Sequence, residues 1–315
     1  MSKPGVSVVI PLFNQAEYID RSIASVLAQE REPEQVVVVD DGSTDDGAAR
    51  IEALDDPRIK LVRQANTGVS AARNRGIGES SHEMVAFLDA DDEWLPGHLQ
   101  SLVELAGKYP AAGLLANGFR VTGPGYERDC TIGEAHRVFS PDTYLAAVLA
   151  GNYPVWTSAA MVRKSAFDAI EGGFMTSHSH GEDHALWLLL VLDHGLAVSG
   201  SIGAFYHQNL GGLAGRLVTE PDALMVTIDR ILADRHELSE EFRELLEEYS
   251  HRFALAIAAN ALLRKERAVA KAFLDMSSST RRYAARWRAL KILQLSGDFL
   301  SGLFFRYVLK YKKIA

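Results

Sequence analysis

The sequence predicts an α/β protein, a mostly parallel sheet flanked by helices, followed by a helical C-terminal appendage. Three observations carry this. Up to Leu88, short β-branched runs alternate four times with stretches of helical period. The runs are nearly continuous in valine, as parallel strands covered on both faces require. From Glu220 to Phe273 the periodicity is helical throughout.

Val6 to Ile10 reads as a buried strand, and Ala16 to Gln29, with Ile19, Ile23, Val26 and Leu27 on one face, as a helix. Val36 to Val39 follows as a second strand, so the unit is βαβ with a right-handed crossover. A second helix is expected after Ser43, capped by Ser43 or Thr44, with Asp45 and Asp46 in its first turn. Ile59 to Val62, Gly68 to Ile77 and Met84 to Leu88 give strand, helix and strand again. Beyond Asp92 the pattern loosens: a helix over Gly97 to Tyr109, a strand over Ala112 to Val121, and a Gly/Pro-rich loop over Thr122 to Gly133. Tyr144 to Ala150 is helical, Ser158 to Val162 a strand, Asp183 to His194 an apolar helix and Ala197 to Phe205 a strand. A boundary near Arg216 divides the chain into residues 1–215 and a helical region, 216–315.

At 315 residues, 47% hydrophobic and 23% charged, the chain has the composition of a folded globular protein. Its one cysteine, Cys130, has no partner for an internal disulfide, and no apolar stretch approaches the roughly 20 residues that span a bilayer. No charged start with an apolar core precedes Val6, so a cytoplasmic placement is expected. The net charge of −8 is uneven. Residues 281–315 hold nine Lys/Arg against one acid, Asp298, which leaves 24 bases and 40 acids in residues 1–280. The acidic body argues against nucleic acid as a partner. The basic tail, interleaved with aromatics and leucines, either packs as a helix on the body or attaches peripherally to an anionic membrane.

Ligands of such sheets bind beyond the carboxyl ends of the strands. There the sequence sets Pro11-Leu12-Phe13-Asn14, Asp40-Asp41-Gly42-Ser43 and Asp89-Ala90-Asp91-Asp92. Five carboxylates on one edge repel one another unless a cation offsets them, and hard oxygen ligands at an open edge suit Mg²⁺ or Mn²⁺. The simpler reading of Asp40 and Asp41 is turn formation and helix capping. Neither G-x-G-x-x-G nor G-x-x-x-x-G-K-[ST] is present, and Asp46 stands where an EF-hand loop needs glycine. His180 and His184 have helical spacing for zinc but lack the adjacent Glu of H-E-x-x-H.

The run Val6 to Asn14, the segment Val38 to Asp45, Asn66-Thr67-Gly68 with Ala72-Arg73-Asn74, and Phe87 to Asp92 together resemble the family 2 glycosyltransferases of GT-A fold. The resemblance implies an inverting transferase that moves a sugar from a nucleotide-diphosphate sugar, with UDP favoured, to an acceptor hydroxyl in cell-surface polysaccharide or glycolipid synthesis. It implies that Pro11, Phe13, Asn14 and Glu17 border the nucleoside, with Phe13 where a tyrosine is common, and that Asp40, with Asp41 beside it, receives the base. Asp89, Ala90 and Asp91 match the Asp-x-Asp motif, with Asp91 and Asp89 at the metal; His207 joins the metal or the diphosphate, and Arg73 lies near the diphosphate. Glu182-Asp183 resembles the family's pair at a helix start, with Asp183 as base and Glu182, Trp156 and Trp187 on the acceptor side, where Gly172-Gly173-Phe174 also falls. The structural alternative for the acids is helix capping, and for Trp94, Trp156 and Trp187 it is the core. The acceptor expected is a glycan or a lipid-linked one, at the inner face of the membrane, and a homodimer is open. Two rival functions remain: a non-catalytic scaffold subunit of a glycan-assembly complex, and a sugar-nucleotide nucleotidyltransferase.

Overall fold

The computed structural model describes residues 4–133, 136–178, 180–208 and 217–295. The chain divides into two compact units, Met1–Leu210 and Gly211–Ala315. The boundary expected at Arg216 and the tail beyond Leu295 lie outside the described residues.

In the first unit the expected alternation is present: β1 (Val6–Leu12), α1 (Ile19–Leu27), β2 (Gln35–Asp40), α2 (Gly47–Glu52), β3 (Ile59–Arg63), α3 (Val69–Gly78) and β4 (Met84–Phe87). The valines explain the pairing. Val8 sits opposite Val36 and Val9 opposite Phe87 in parallel register, and all four are fully buried. Next come β5 (Glu93–Trp94), α4 (His98–Lys108), β6 (Leu114–Gly123), β7 (Tyr126–Cys130), β8 (Arg137–Phe139), α5 (Pro141–Leu149), a 3₁₀ turn at Thr157–Ala159, β9 (Ala160–Arg163), α6 (Lys164–Asp168), α7 (Glu182–His194) and β10 (Leu196–His207).

The sheet runs in the order β3-β2-β1-β4-β9-β6-β10-β5. Strands β1 to β4 are parallel to one another, and β6 is parallel to β10. Strand β9, antiparallel to both β4 and β6, enters from the edge at which those two leave, and the short β5, β7 and β8 also run against their partners. The reversal of β9 delivers Trp156-Thr157-Ser158 to the carboxyl edge of the parallel strands.

Two expectations change. The second helix starts at Gly47, and neither Ser43 nor Thr44 caps it. Ser43 Oγ accepts the Asn14 N–H at 3.1 Å, and Thr44 N–H donates to Asn14 Oδ1 at 2.8 Å, so both serve the β1 loop. The expected loop after Thr122 contains β7. Gly123-Pro124-Gly125 turns the chain, with Gly125 at φ +78°, and Arg120 pairs with Asp129 across the hairpin.

The second unit holds α8 (Ala223–Asp234), α9 (Glu240–Leu263), α10 (Arg267–Met276) and α11 (Ala284–Leu295). Asp222 and Ser239 cap α8 and α9 by accepting the N–H of Met225 and Phe242. Leu255, Ala258, Leu262, Phe273, Leu274 and Leu290 form its core. No helix among the described residues is long and apolar enough to cross a membrane.

Candidate active site

Four loops meet at the carboxyl edge, each shaped by its sequence. After β1 the chain turns through Asn14 at φ +51°, a left-handed conformation that asparagine tolerates. The Asn14 side chain then accepts from both Thr44 N–H and Oγ1, so the first two loops are tied together. After β2, Asp40 accepts the Ser43 N–H at 2.9 Å, and Gly42 takes φ +76° where a Cβ would stand 3.0 Å from Asn66 N. Phe13 and Glu17 are exposed at this rim, and Pro11 is half-buried.

Asp41, expected beside the base, has a structural role. It is 3% exposed and accepts from Gln64 Nε2, Thr67 N–H and Gly68 N–H at 2.8, 2.9 and 2.8 Å, holding the loop that starts α3. Ala90 is likewise core, 3% exposed, leaving only its backbone to face a ligand.

Arg73 departs furthest from expectation. Its side chain is 6% exposed. Nη2 lies 2.8 Å from Asp89 Oδ1 and Nη1 3.2 Å from Glu182 Oε1, while the guanidinium stacks over Phe174 at 5.3 Å. Burial disfavours its charge, but Asp89 and Glu182 more than restore it. Arg73 therefore joins the two acidic motifs to each other, with both ends of its guanidinium committed inside the protein. Beside it, the Asn74 amide donates to Phe174 O at 2.7 Å and accepts Phe174 N–H at 2.9 Å, fixing the Gly172-Gly173-Phe174 loop.

Asp91 of the first acidic motif is shifted up, and within the second motif the two carboxyls shift in opposite directions. Burial, reinforced by Asp89, pushes the Asp91 carboxyl up to about 6. Burial and the charge of Asp183 push Glu182 up to about 7, against the pull of Arg73. Burial acts on Asp183 too, but His184, Arg73 and two hydrogen bonds outweigh it and hold this carboxyl below the usual range. Those bonds come from the His184 N–H to Oδ1 at 2.7 Å and from Thr157 Oγ1 to Oδ2 at 3.2 Å. Lying in the first turn of α7, both acids also meet the positive end of the helix dipole.

Sequence reasoning counted Asp92 among the acids but gave it no role, and the structure makes it a junction. Its Oδ2 accepts from Ser158 Oγ and, at 3.4 Å, from Trp156 Nε1, and Oδ1 accepts the His207 N–H at 3.0 Å. Ser158 Oγ in turn accepts the Asp89 N–H at 3.2 Å. The turn before β9 thus touches Asp89 and Asp92 through Ser158, and Asp183 through Thr157. Arg21 of α1, also missed, donates to the Asp91 carbonyl and lies 3.7 Å from Glu93. Nothing in the helical pattern of α1 singles it out, because its partners are reached only through the fold.

His207 does not close a metal cage with Asp89 and Asp91. Its Nδ1 is 3.0 Å from Thr122 Oγ1 and its Nε2 3.4 Å from Glu93 Oε2, and among the described residues no group of three or more His, Cys, Asp and Glu is placed to hold a metal. Two mutually repelling carboxylates remain, Asp89 and Asp91. They fit a hard cation that completes its shell with water and phosphate oxygens.

Of the tryptophans, Trp156 is half-buried at the edge, its ring 4.1 Å from Tyr206 and 5.5 Å from Phe119. Trp187, expected on the acceptor side, is 1% exposed and packs against Phe87 and Phe174 in the core. Trp94 is also core.

Residues 7–170 match the model of the family described as glycosyl transferase family 2. The chain is 29% identical over 251 residues to the succinoglycan biosynthesis protein ExoO of Rhizobium meliloti, covering 75% of this chain and 70% of that protein. It is also 29% identical over 201 residues to the GalNAc(5)-diNAcBac-PP-undecaprenol beta-1,3-glucosyltransferase of Campylobacter jejuni, covering 59% and 60%. Matches to two uncharacterized glycosyltransferases, of Nostoc and Escherichia coli, and to the succinoglycan biosynthesis protein ExoU of Rhizobium meliloti span only about a third of those proteins' length. The fold is that of the crystal structure of S. aureus TarS 1–349 in complex with UDP-GlcNAc, with a TM-score of 0.72 at 16% identity over 96% of this chain and 92% of that one. With four motif loops on one sheet edge, a GT-A-like architecture and a family match over more than half its length, the chain belongs to glycosyl transferase family 2.

Proposed function

We propose that this glycosyltransferase moves a sugar, with inversion, from a UDP-sugar to a hydroxyl of a glycan or lipid-linked acceptor during cell-surface polysaccharide assembly, working at the inner face of the membrane. The observation that carries the reading is the Arg73 bridge. It sets the Asp89–Asp91 loop and the Asp183 helix start against each other across one guanidinium, as a donor half and an acceptor half would need to be. The UDP assignment is supported by the TarS structures with UDP-GlcNAc and with UDP, and the lipid-linked acceptor by the undecaprenol-linked substrate in the name of the Campylobacter relative.

In this reading Pro11, Phe13, Asn14 and Glu17 frame the nucleoside, and Asp40 takes the imino hydrogen of the base. Asp89 and Asp91 would hold Mn²⁺ or Mg²⁺, and the ion would supply Lewis-acid stabilisation of the leaving diphosphate. Asp183 is the base. Its carboxylate stays ionised at neutral pH and takes the acceptor hydroxyl proton as the oxygen attacks C1 and the bond from C1 to the diphosphate oxygen breaks. Glu182, pushed up to about 7, acts as a positioning residue through Arg73. Trp156 offers an aromatic face to the acceptor sugar.

The test is to incubate the protein with α-linked UDP-sugars, Mn²⁺ and an extract of lipid-linked glycans, and to read the product's anomeric configuration by NMR. A β-linked product and release of UDP are expected. In Asp183→Asn release should fall about 10²–10⁴-fold. Unchanged release in that variant would overturn Asp183 as the base, no release by the wild type would favour the scaffold reading, and pyrophosphate as product would favour a nucleotidyltransferase.

A further inference from the structure

The second unit carries a surface that its own packing does not explain. Helix α11 turns Leu290 and Leu293 into the core, 5% and 7% exposed, and Trp287 Nε1 donates to Leu274 O at 2.7 Å, which fixes the helix's rotation. The opposite face is therefore set outward. On it Arg288 is exposed, Ile292 and Leu295 are 65% and 74% exposed, and in the turn just before the helix Arg282 is exposed as well. From Arg281 to Leu295 there are five bases and no acid, in a chain whose first 280 residues hold 24 bases and 40 acids. Lys291 and Arg281 are drawn to Asp275 and Glu244.

We propose that the outward face of α11 is a docking surface for an anionic lipid bilayer. A nucleic acid or an acidic protein would meet the guanidiniums but offers no apolar phase for Ile292 and Leu295. The interface of a bilayer containing acidic phospholipids offers both, headgroup charge for the arginines and acyl chain for the two aliphatic side chains. The argument uses charge and exposure within the second unit alone and does not depend on the transferase reading.

The experiment is co-sedimentation of the full chain with phosphatidylcholine vesicles, pure or containing about a third phosphatidylglycerol, with neither donor nor acceptor present. Binding to the anionic vesicles is expected, weakening as salt rises. Each base near the surface is worth roughly five-fold in binding, so Arg282→Glu with Arg288→Glu should weaken it by about 25-fold or more. Ile292→Asp with Leu295→Asp should cost about ten-fold or more. All four positions are exposed, so both double variants should keep the wild-type melting temperature. Equal binding of wild type and both variants, or equal binding to neutral and anionic vesicles, overturns the proposal. So does a dimer seen by light scattering and abolished by Ile292→Asp with Leu295→Asp, without vesicle binding. None of these outcomes touches sugar transfer, so the two readings fail separately.

Discussion

Arg73 and Glu182 form a buried ion pair, Nη1 to Oε1 at 3.2 Å, that ties helix α3 to the first turn of α7 while the other end of the same guanidinium holds Asp89. Removing one member of such a set strands the others without water or counterion. Arg73→Met should destabilise the protein by about 3–5 kcal/mol, read from urea unfolding. Arg73→Lys, with one ammonium in place of a fork, reaches one acid only and should recover less than half of that. A loss below about 1 kcal/mol in Arg73→Met would mean that the bridge is not closed in solution.

Thr157 bears on the proposed base in a way that pH can read. Its hydroxyl donates to Asp183 Oδ2, favouring the charged form, so Thr157→Val should raise the carboxyl pKa. The acid limb of turnover, followed as nucleoside diphosphate released, should therefore move to higher pH, and Thr157→Ser should restore it. An unmoved limb in Thr157→Val would show that Thr157 only packs.

How far the sequence could be read depended on the range of the forces involved. The four strands up to β4 and the helices between them follow from short-range periodicity, and the carboxylates at their ends follow from strand polarity. Asp183 and Glu182 were legible through the family resemblance. Local pattern could not show that β9 runs against its neighbours, since direction is set by pairing with β4 and β6, and so the bonds from Ser158 to Asp92 and from Thr157 to Asp183 were out of reach. The pairing of Arg73 with Glu182 was out of reach for the same reason, because it joins residues on separate helices. Trp187 was misplaced because α7 is apolar on nearly all sides, which hides the face that meets Phe87 and Phe174.

The two tryptophans should separate packing from binding. Trp187→Ala opens a large cavity in the core and should cost about 3–5 kcal/mol of stability. Trp156→Ala, at the half-buried edge, should leave stability closer to wild type and raise the acceptor KM more than it lowers kcat. Equal stability losses would place both rings in the core.

His98 predicts an acid weakness of the fold. It is 1% exposed, with Nδ1 at 3.1 Å from Asn117 Nδ2, and burial lowers its pKa from 6.5 to about 3. The unfolded chain thus binds this proton from about pH 6.5 downward while the native chain refuses it. The stability from a neutral His98 is complete above about pH 6.5 and lost toward pH 3, by up to about 1.4 kcal/mol per pH unit. His98→Gln should be less stable at neutral pH but should lose stability with a shallower slope on acidification, measured as urea midpoints. A slope equal to wild type would contradict this.

The central claim is that Asp89 and Asp91 form the donor site and Asp183 the separate acceptor-activating site. The most direct test is thermal stabilisation by a panel of nucleoside diphosphates and their sugars, with and without Mn²⁺, on wild type, Asp91→Ala and Asp183→Asn. Ligand at about 100 times Kd should add roughly 2.7 kcal/mol. A Mn²⁺-dependent shift for uridine nucleotides, lost in Asp91→Ala and kept in Asp183→Asn, is the predicted result. A shift that survives Asp91→Ala, or no shift with any nucleotide, would contradict it.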